Sequence, residues 1–166
     1  MQDFEKQKEK FEEEVLEVRR VFKVTKGGRT LRFRVALVIG DRQGQVGFSV
    51  AKANEVPQAV EKARNKAKKQ LVSVPIVGDT IPFDIDIKFK RAQVFLKPAS
   101  EGTGLIVGRS IRPLIELAGI KNILSKIKGS RDKVANAYAV IKAFKKLNDY
   151  YKKLAPDKTI KTKAKK

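Results

Sequence analysis

A chain of 166 residues, 42% hydrophobic and 34% charged, holds enough apolar material for one good core or two small domains. Its 38 Lys and Arg against 18 Asp and Glu leave a net charge of +20. The absence of both cysteine and histidine excludes a disulfide framework, thiolate or imidazole metal sites and most nucleophile-base constellations.

The charge is uneven. Met1 to Glu17 carries seven acids and three bases, so the remainder holds +24. That excess destabilises a compact state unless a polyanion neutralises it, which makes nucleic acid the default partner. The acidic start lacks the apolar block of a secretory signal and the basic character of a transit peptide. No stretch reaches the roughly 20 apolar residues of a membrane span, so no membrane partner is expected, and the lack of cysteine is compatible with an intracellular, reducing compartment.

Residues 1–14 read as a polar acidic extension. The first strand is expected over Val15 to Thr25, interrupted by Lys26-Gly27-Gly28, where adjacent glycines supply the positive φ values of a tight loop. From Thr30 the alternation is clean, with Leu31, Phe33, Val35, Leu37 and Ile39 on one side and Thr30, Arg32 and Arg34 on the other. This predicts a half-buried strand with a basic outer edge. Gly40-Asp41-Arg42-Gln43-Gly44 is a hairpin turn, and Val46, Phe48 and Val50 complete a three-stranded antiparallel meander. Asn54 is placed to cap a following helix, with Pro57 in its first turn. Val56, Ala59, Val60, Ala63, Ala67 and Leu71 form its sheet-facing stripe, while Lys62, Arg64, Lys66, Lys68 and Lys69 occupy the rest of the cylinder. Residues 15–71 are thus one βββα domain.

A second domain is expected over 72–150. Val74-Pro75 and Gly78-Asp79 mark turns, and Ile81 to Lys97 reads as a hairpin in which Ile85, Ile87 and Phe89 alternate with Asp84, Asp86, Lys88 and Lys90. The loop from Pro98 to Gly104 opens a helix over Leu105 to Ala118, stopped by Gly119. Pro113 predicts a kink or restart within it, since an interior proline costs about 3 kcal/mol. A strand follows over Ile120 to Ile127, then a helix capped by Ser130 and running to about Tyr150 on a stripe of Val134, Ala137, Tyr138, Ile141 and Phe144. The fold class is α+β, a βββα unit followed by a ββαβα unit in which one sheet meets two helices. Residues 151–166 read as a basic, disordered tail.

Lys23, Lys26, Arg29, Arg32 and Arg34 are candidate phosphate partners on one edge of the first sheet, with Gly27 and Gly28 allowing close backbone approach to RNA. A solvated strand face with an ordinary turn is the plainer reading, and the +20 charge favours RNA. Lys52 and Asn54 at the helix start form either an anion site or a simple cap. Lys62, Lys66 and Lys69 are either groove-facing cations or a soluble helix face. Two enzyme readings fall away. Gly102, Gly104 and Gly108 precede a helix as in a dinucleotide loop, but they follow a hairpin strand and no ribose-binding acid lies downstream. Asp84 and Asp86 alternate with isoleucines as on any exposed strand. The chain reads as non-enzymatic, with no cofactor and no metal.

The ordered set Lys26-Gly27-Gly28-Arg29, Gly40-Asp41, Gly44-Gln45-Val46-Gly47-Phe48, Glu55-Val56-Pro57 and Pro98-Ala99-Ser100-Glu101-Gly102-Thr103-Gly104 resembles the signature stretches of the small-subunit ribosomal protein S five family, in family order. The resemblance covers about Val15 to Tyr150. It implies an N-terminal domain similar to double-stranded-RNA-binding modules and a C-terminal domain of the left-handed βαβ type. It also implies contact with small-subunit rRNA and with proteins S four and S eight, a position near the mRNA entrance, and a link to decoding accuracy. Gly102, Gly104 and Arg112 match positions expected at the S four interface, and Val24 to Arg29 match a loop approaching head RNA near the spectinomycin site. Phe22 and Pro113 depart from the family pattern. An RNA chaperone or a double-stranded-RNA binder acting off the ribosome is the alternative in another class.

Overall fold

The computed structural model describes residues 11–154, so residues 1–10 of the acidic extension and 155–166 of the basic tail lie outside the described residues. The first unit contains β1 (Glu12–Thr25), β2 (Gly28–Gly40), β3 (Gln45–Ala53), α1 (Val56–Lys68) and β4 (Leu71–Ser73). Its strands form an antiparallel sheet in the order β1-β2-β3-β4. The second unit contains β5 (Ile85–Phe89), β6 (Ala92–Pro98), β7 (Leu105–Ile106), α2 (Arg112–Ala118), β8 (Ile123–Lys128) and α3 (Lys133–Leu154). Its sheet runs β5-β6-β8-β7, with β7 parallel to β8 across the α2 connection.

The α+β class and the two-sheet division follow the sequence reading, and several local expectations are corrected. The first strand begins at Glu12 rather than Val15, because Glu12 and Glu13 find cationic partners in Arg42 and Arg64. The meander gains a fourth strand, since Leu71, Val72 and Ser73 pair with β3. Asn54 does not cap α1; Glu55 occupies that position in an extended conformation, with no side-chain hydrogen bond. The expected helix from Leu105 is instead a short strand and a seven-residue helix. Pro113 stands in the first turn of α2, where its missing N–H costs nothing. The last strand is displaced to Ile123–Lys128, because the N–H groups of Ile120, Lys121 and Asn122 are taken up by the Ile115 and Asp79 carbonyls rather than by a neighbouring strand. The cap of α3 is Asp132 rather than Ser130: the Ala135 N–H donates to Asp132 Oδ2 at 3.1 Å. That helix runs on to Leu154, beyond Tyr150.

The largest departure concerns β2. Residues Val35 to Gly40 are buried on both faces rather than one. Leu37 and Ile39 pack with Ala63 and Ala67 of α1, and Val35 packs with Ala53 and Ala59. On the opposite face Ala36 and Val38 join Val46, Phe48 and Leu16 in a core that continues through Leu96, Ile115, Ile123, Val140 and Phe144 of the second unit. Alanines at 59, 63 and 67 let α1 lie close to the sheet, and the buried Ser49 hydroxyl donates to the Ala63 carbonyl at 2.6 Å. Each fully buried Leu, Ile or Phe contributes about 1.5–3 kcal/mol, so this shared core binds the two units into one body.

The seam is closed by backbone. The Arg42 N–H donates to the Leu117 carbonyl and the Gly44 N–H to the Ala118 carbonyl, each at 3.0 Å. The turn between β2 and β3 therefore satisfies carbonyls at the C-terminus of α2 that have no partner within the helix. Such contact requires glycine on both sides. A Cβ at Gly40 would strike the Leu117 carbonyl, and one at Gly119 would strike the Arg42 carbonyl. Gly119 also ends α2 at φ 87°. Asp41 holds the turn, its Oδ1 accepting from the Gln43 and Gln45 N–H groups at 2.7 and 2.9 Å. Deeper in the seam the Phe48 and Tyr138 rings meet edge to face, with centroids 5.0 Å apart.

Candidate nucleic-acid interface

β1 and β2 pair from Thr25↔Gly28 to Glu12↔Gly40, whereas β3 covers β2 only from Phe33 onward. The far end of the hairpin is therefore a two-stranded arm projecting past the third strand. From Val18 to Arg34 the arm carries Arg19, Arg20, Lys23, Lys26, Arg29, Arg32 and Arg34 and no acid. It closes at the two-residue turn Lys26-Gly27, where the Thr25 hydroxyl donates to the Gly28 carbonyl at 3.2 Å and Gly28 adopts φ 140°.

Side chains directly opposite in an antiparallel pair share a face. Arg34 stands opposite Arg19 on β1 and Lys52 on β3, so three cations form a row across three strands. Neighbouring strands lie about 4.8 Å apart, which sets the spacing of the row. Arg32 opposite Val21, and Lys23 opposite Thr30, continue that face toward the arm tip. Glu17, with its side chain 12% exposed, reaches both Arg19 (2.8 Å) and Arg34 (3.6 Å). One carboxylate cannot neutralise five cations, and Arg32 Nε is buried with no acceptor among the described residues. The row emerges where the second unit stops covering the sheet, just beyond Ala36 and Val50.

The sequence-predicted residues are divided by this geometry. Lys23, Arg32, Arg34 and Lys52 come together. Arg29 does not join them: it stands opposite Val24 and so lies on the other face of the arm, as the period of two requires of a β2 residue an odd number of positions from Arg34. Lys52 belongs to β3 and the arginine row rather than to a helix terminus, and Asn54 is an exposed residue between β3 and α1. Lys62, Lys66 and Lys69 are exposed on α1 and its C-terminal cap position. That helix packs against the Val35–Leu37–Ile39 face, so these lysines form a separate surface on the opposite layer. Arg19 is a further member that sequence reading missed, and the signal was its place in the same alternation, two residues ahead of Val21 and four ahead of Lys23.

Two exposed ion pairs fix the start of β1. Arg64 donates through Nε and Nη2 to both oxygens of Glu13, at 2.6 and 2.5 Å, and Arg42 meets Glu12 at 2.7 Å. The hydrogen bonds from Arg64 hold the Glu13 carboxyl below its ordinary value of 4.5, and the same contact raises the Arg64 guanidinium.

At the other end of the molecule, Gly102 and Gly104 take φ values of 86° and 72° ahead of β7. The Gly104 N–H donates to Asn122 Oδ1 at 2.9 Å. Arg112, the first residue of α2, donates to the Leu105 carbonyl at 3.0 Å and meets Glu116 at 3.3 Å. Gly104 and Arg112 thus flank β7, whose Ile106 is 56% exposed. Asp86 does not assemble with Asp84 into a paired-carboxylate site; it accepts from the Gln93 amide across the hairpin, at 2.8 and 3.0 Å to its two oxygens. No helix among the described residues is long and apolar enough to cross a membrane.

Residues 11–75 match the family model described as ribosomal protein S5, N-terminal domain, and residues 87–157 match the one described as ribosomal protein S5, C-terminal domain. Among curated proteins, the chain is 46% identical over 143 residues to the small ribosomal subunit protein uS5 of Thermotoga neapolitana. It is equally similar to that of Thermotoga maritima. Each match covers 86% of this chain and 80% of the relative.

Proposed function

This chain belongs to the ribosomal protein S5 family, whose members are structural, non-enzymatic constituents of the small ribosomal subunit, and we propose that it binds rRNA there through the basic face of its arm. The observation that carries the reading is the Arg19–Arg34–Lys52 row, three cations on adjacent strands sharing one partial counterion, Glu17. Arg32 and Lys23 extend the row. Lys26 and the Gly27-Gly28 turn bring backbone to the RNA at the tip, and Arg29 contacts it from the other side. Recognition is of phosphate and 2′-hydroxyl geometry, because a sheet face of long cations contacts backbone more readily than base edges. Lys62, Lys66 and Lys69 form a second, separate basic surface.

In the assembled subunit, the Gly102–Gly104–Arg112 region meets S four, S eight is a further neighbour, and the chain supports the mRNA entrance and decoding accuracy from the cytoplasmic ribosome. The experiment replaces Arg19, Arg34 and Lys52 together by Gln and measures the affinity of the full chain for small-subunit rRNA against salt concentration. Each lost phosphate contact flattens the slope by about 0.7 to 0.9 log units per log of salt, and an unchanged slope refutes the assignment. On a sucrose gradient, co-sedimentation with small subunits at moderate salt supports a ribosomal role, and a mixed-RNA pool supports a binder acting off the ribosome.

A further inference from the structure

The face of the arm opposite the arginine row is apolar at its centre and exposed among the described residues. Val18, Phe22 and Val24 of β1 share it with Leu31 of β2. Phe22 is 62% exposed, Val24 72% and Leu31 40%. Helix α1 covers this side of the sheet only over Val35, Leu37 and Ile39, and no described residue covers Phe22. Phe22 stands opposite Leu31, and Arg20 and Arg29 lie on the same face one step to either side, opposite Phe33 and Val24. The arrangement is an aromatic–aliphatic platform bracketed by two guanidinium groups.

We propose that this platform receives an unpaired nucleobase of RNA, stacked on the Phe22 ring, while Arg20 and Arg29 hold the flanking phosphates or lie against adjacent bases. Charge decides the occupant. With seven cations and no carboxylate between Val18 and Arg34, the partner must bring anions and flat apolar faces together, and unpaired nucleotides carry both. A base-paired helix offers no free π-face along its length. The arm is then two-sided, with phosphates on the Arg34 face and a base on the Phe22 face. The proposal rests on the reading of the arm as facing RNA and adds to it a named residue and the unpaired state of its ligand.

The chain contains no tryptophan, so Phe22→Trp places a single tryptophan, excitable apart from the tyrosines at the red edge of absorption, on the platform of the full-length protein. A 12-nucleotide oligoadenylate RNA quenches its emission, and an RNA duplex that binds through the basic face leaves it largely unquenched. Phe22→Ala weakens oligoadenylate binding by about 5- to 150-fold, the range of one lost base stack. It leaves duplex affinity and the salt slope unchanged, and the exposure of the ring leaves thermal stability near the parent value. Phe22→Leu keeps most of the apolar area and loses the aromatic stacking face, so it binds oligoadenylate more weakly than the parent.

Equal quenching by oligoadenylate and duplex, or equal loss of both affinities in Phe22→Ala, overturns the proposal. A blue shift on phosphatidylglycerol vesicles without quenching by RNA also overturns it, in favour of a lipid surface. The two readings fail separately: the Arg19, Arg34 and Lys52 replacements read the salt slope on rRNA, whereas Phe22→Trp reads contact with a base.

Discussion

Gly119→Ala tests the seam between the two units. Two costs add at this position. The residue sits at φ 87°, and an alanine held in that left-handed conformation costs about 1–2 kcal/mol. Its Cβ also runs into the Arg42 carbonyl, so the turn must withdraw and the two hydrogen bonds from Arg42 and Gly44 to the end of α2 are stretched or lost. At about 1 kcal/mol each, these bring the total to about 3–4 kcal/mol. Gly102→Ala is the control, since Gly102 has φ 86° with nothing near its Cβ position, and its cost is the conformational term alone. Gly40→Ala supplies the reverse case, with steric conflict against Leu117 at a residue whose φ is not positive, and its cost is about 2–3 kcal/mol. Urea denaturation followed by circular dichroism reads all three. Gly119→Ala and Gly40→Ala disrupt one joint, so the double variant loses less than the sum of the singles. Equal losses in Gly119→Ala and Gly102→Ala, or full additivity in the double variant, refute the account of a glycine-dependent seam.

Glu13→Gln removes the carboxylate that Arg64 holds below its ordinary value. Because the folded-state value is depressed, the contribution is fully present above the unfolded value of 4.5 and is lost as pH falls through the folded one. The pair is about one-third exposed, so the variant is destabilised by about 0.5–1 kcal/mol at pH 7. The two proteins converge under more acidic conditions; a gap that persists there in pH-dependent urea titrations contradicts the ion-pair account. Asp132→Ala, which removes the cap of α3, costs about 1 kcal/mol, whereas Asn54→Ala, at a residue that caps nothing, changes stability by a few tenths; thermal denaturation distinguishes them. Phe144→Ala costs about 3–5 kcal/mol, since its ring is fully buried in the core common to both units, and it lowers a single cooperative transition rather than splitting it in two.

The strands of the first unit were legible because alternation is a strong signal when one side of a sheet is apolar and the other charged, as from Thr30 to Arg34. The same rule hid the double burial of β2. Val35 to Ile39 is a continuous apolar run, the pattern of a strand covered on both faces, but its odd members alone satisfy a one-sided pattern in which Ala36 and Val38 have no role. Pro113 carried a correct warning against an unbroken helix, and Gly108, wedged beside Ile127, marks the stretch between β7 and α2. Helix starts were harder. Asn54, Glu55, Ser130 and Asp132 are all chemically competent near their helices, and only backbone position determines which one caps. The candidate interface was legible in its members and not in its grouping: Arg29 and Arg34 look equivalent along the chain, yet strand parity sends them to opposite faces, while Arg19 and Lys52 become neighbours of Arg34 only through pairing register.

The burial gradient along β2 connects stability to recognition. Its last six residues are locked between two packed layers, and its first four are exposed. The arm is therefore an extension of a strand anchored in the core, and that strand sets the backbone positions from which its cations project. Three cations on adjacent strands about 4.8 Å apart repel one another in the free protein, and Glu17 relieves only part of that repulsion. The shared core supplies the stability that offsets it. Binding a phosphate chain then replaces repulsion with attraction without first ordering a flexible segment, an entropic cost that loop-borne cations incur on association. The separate lysine surface of α1 lacks such a strand-fixed array, because side chains on an exposed helix face keep more of their rotamer freedom. On the proposed function, the arm rather than the more lysine-rich helix is therefore the better preorganised surface for folded RNA.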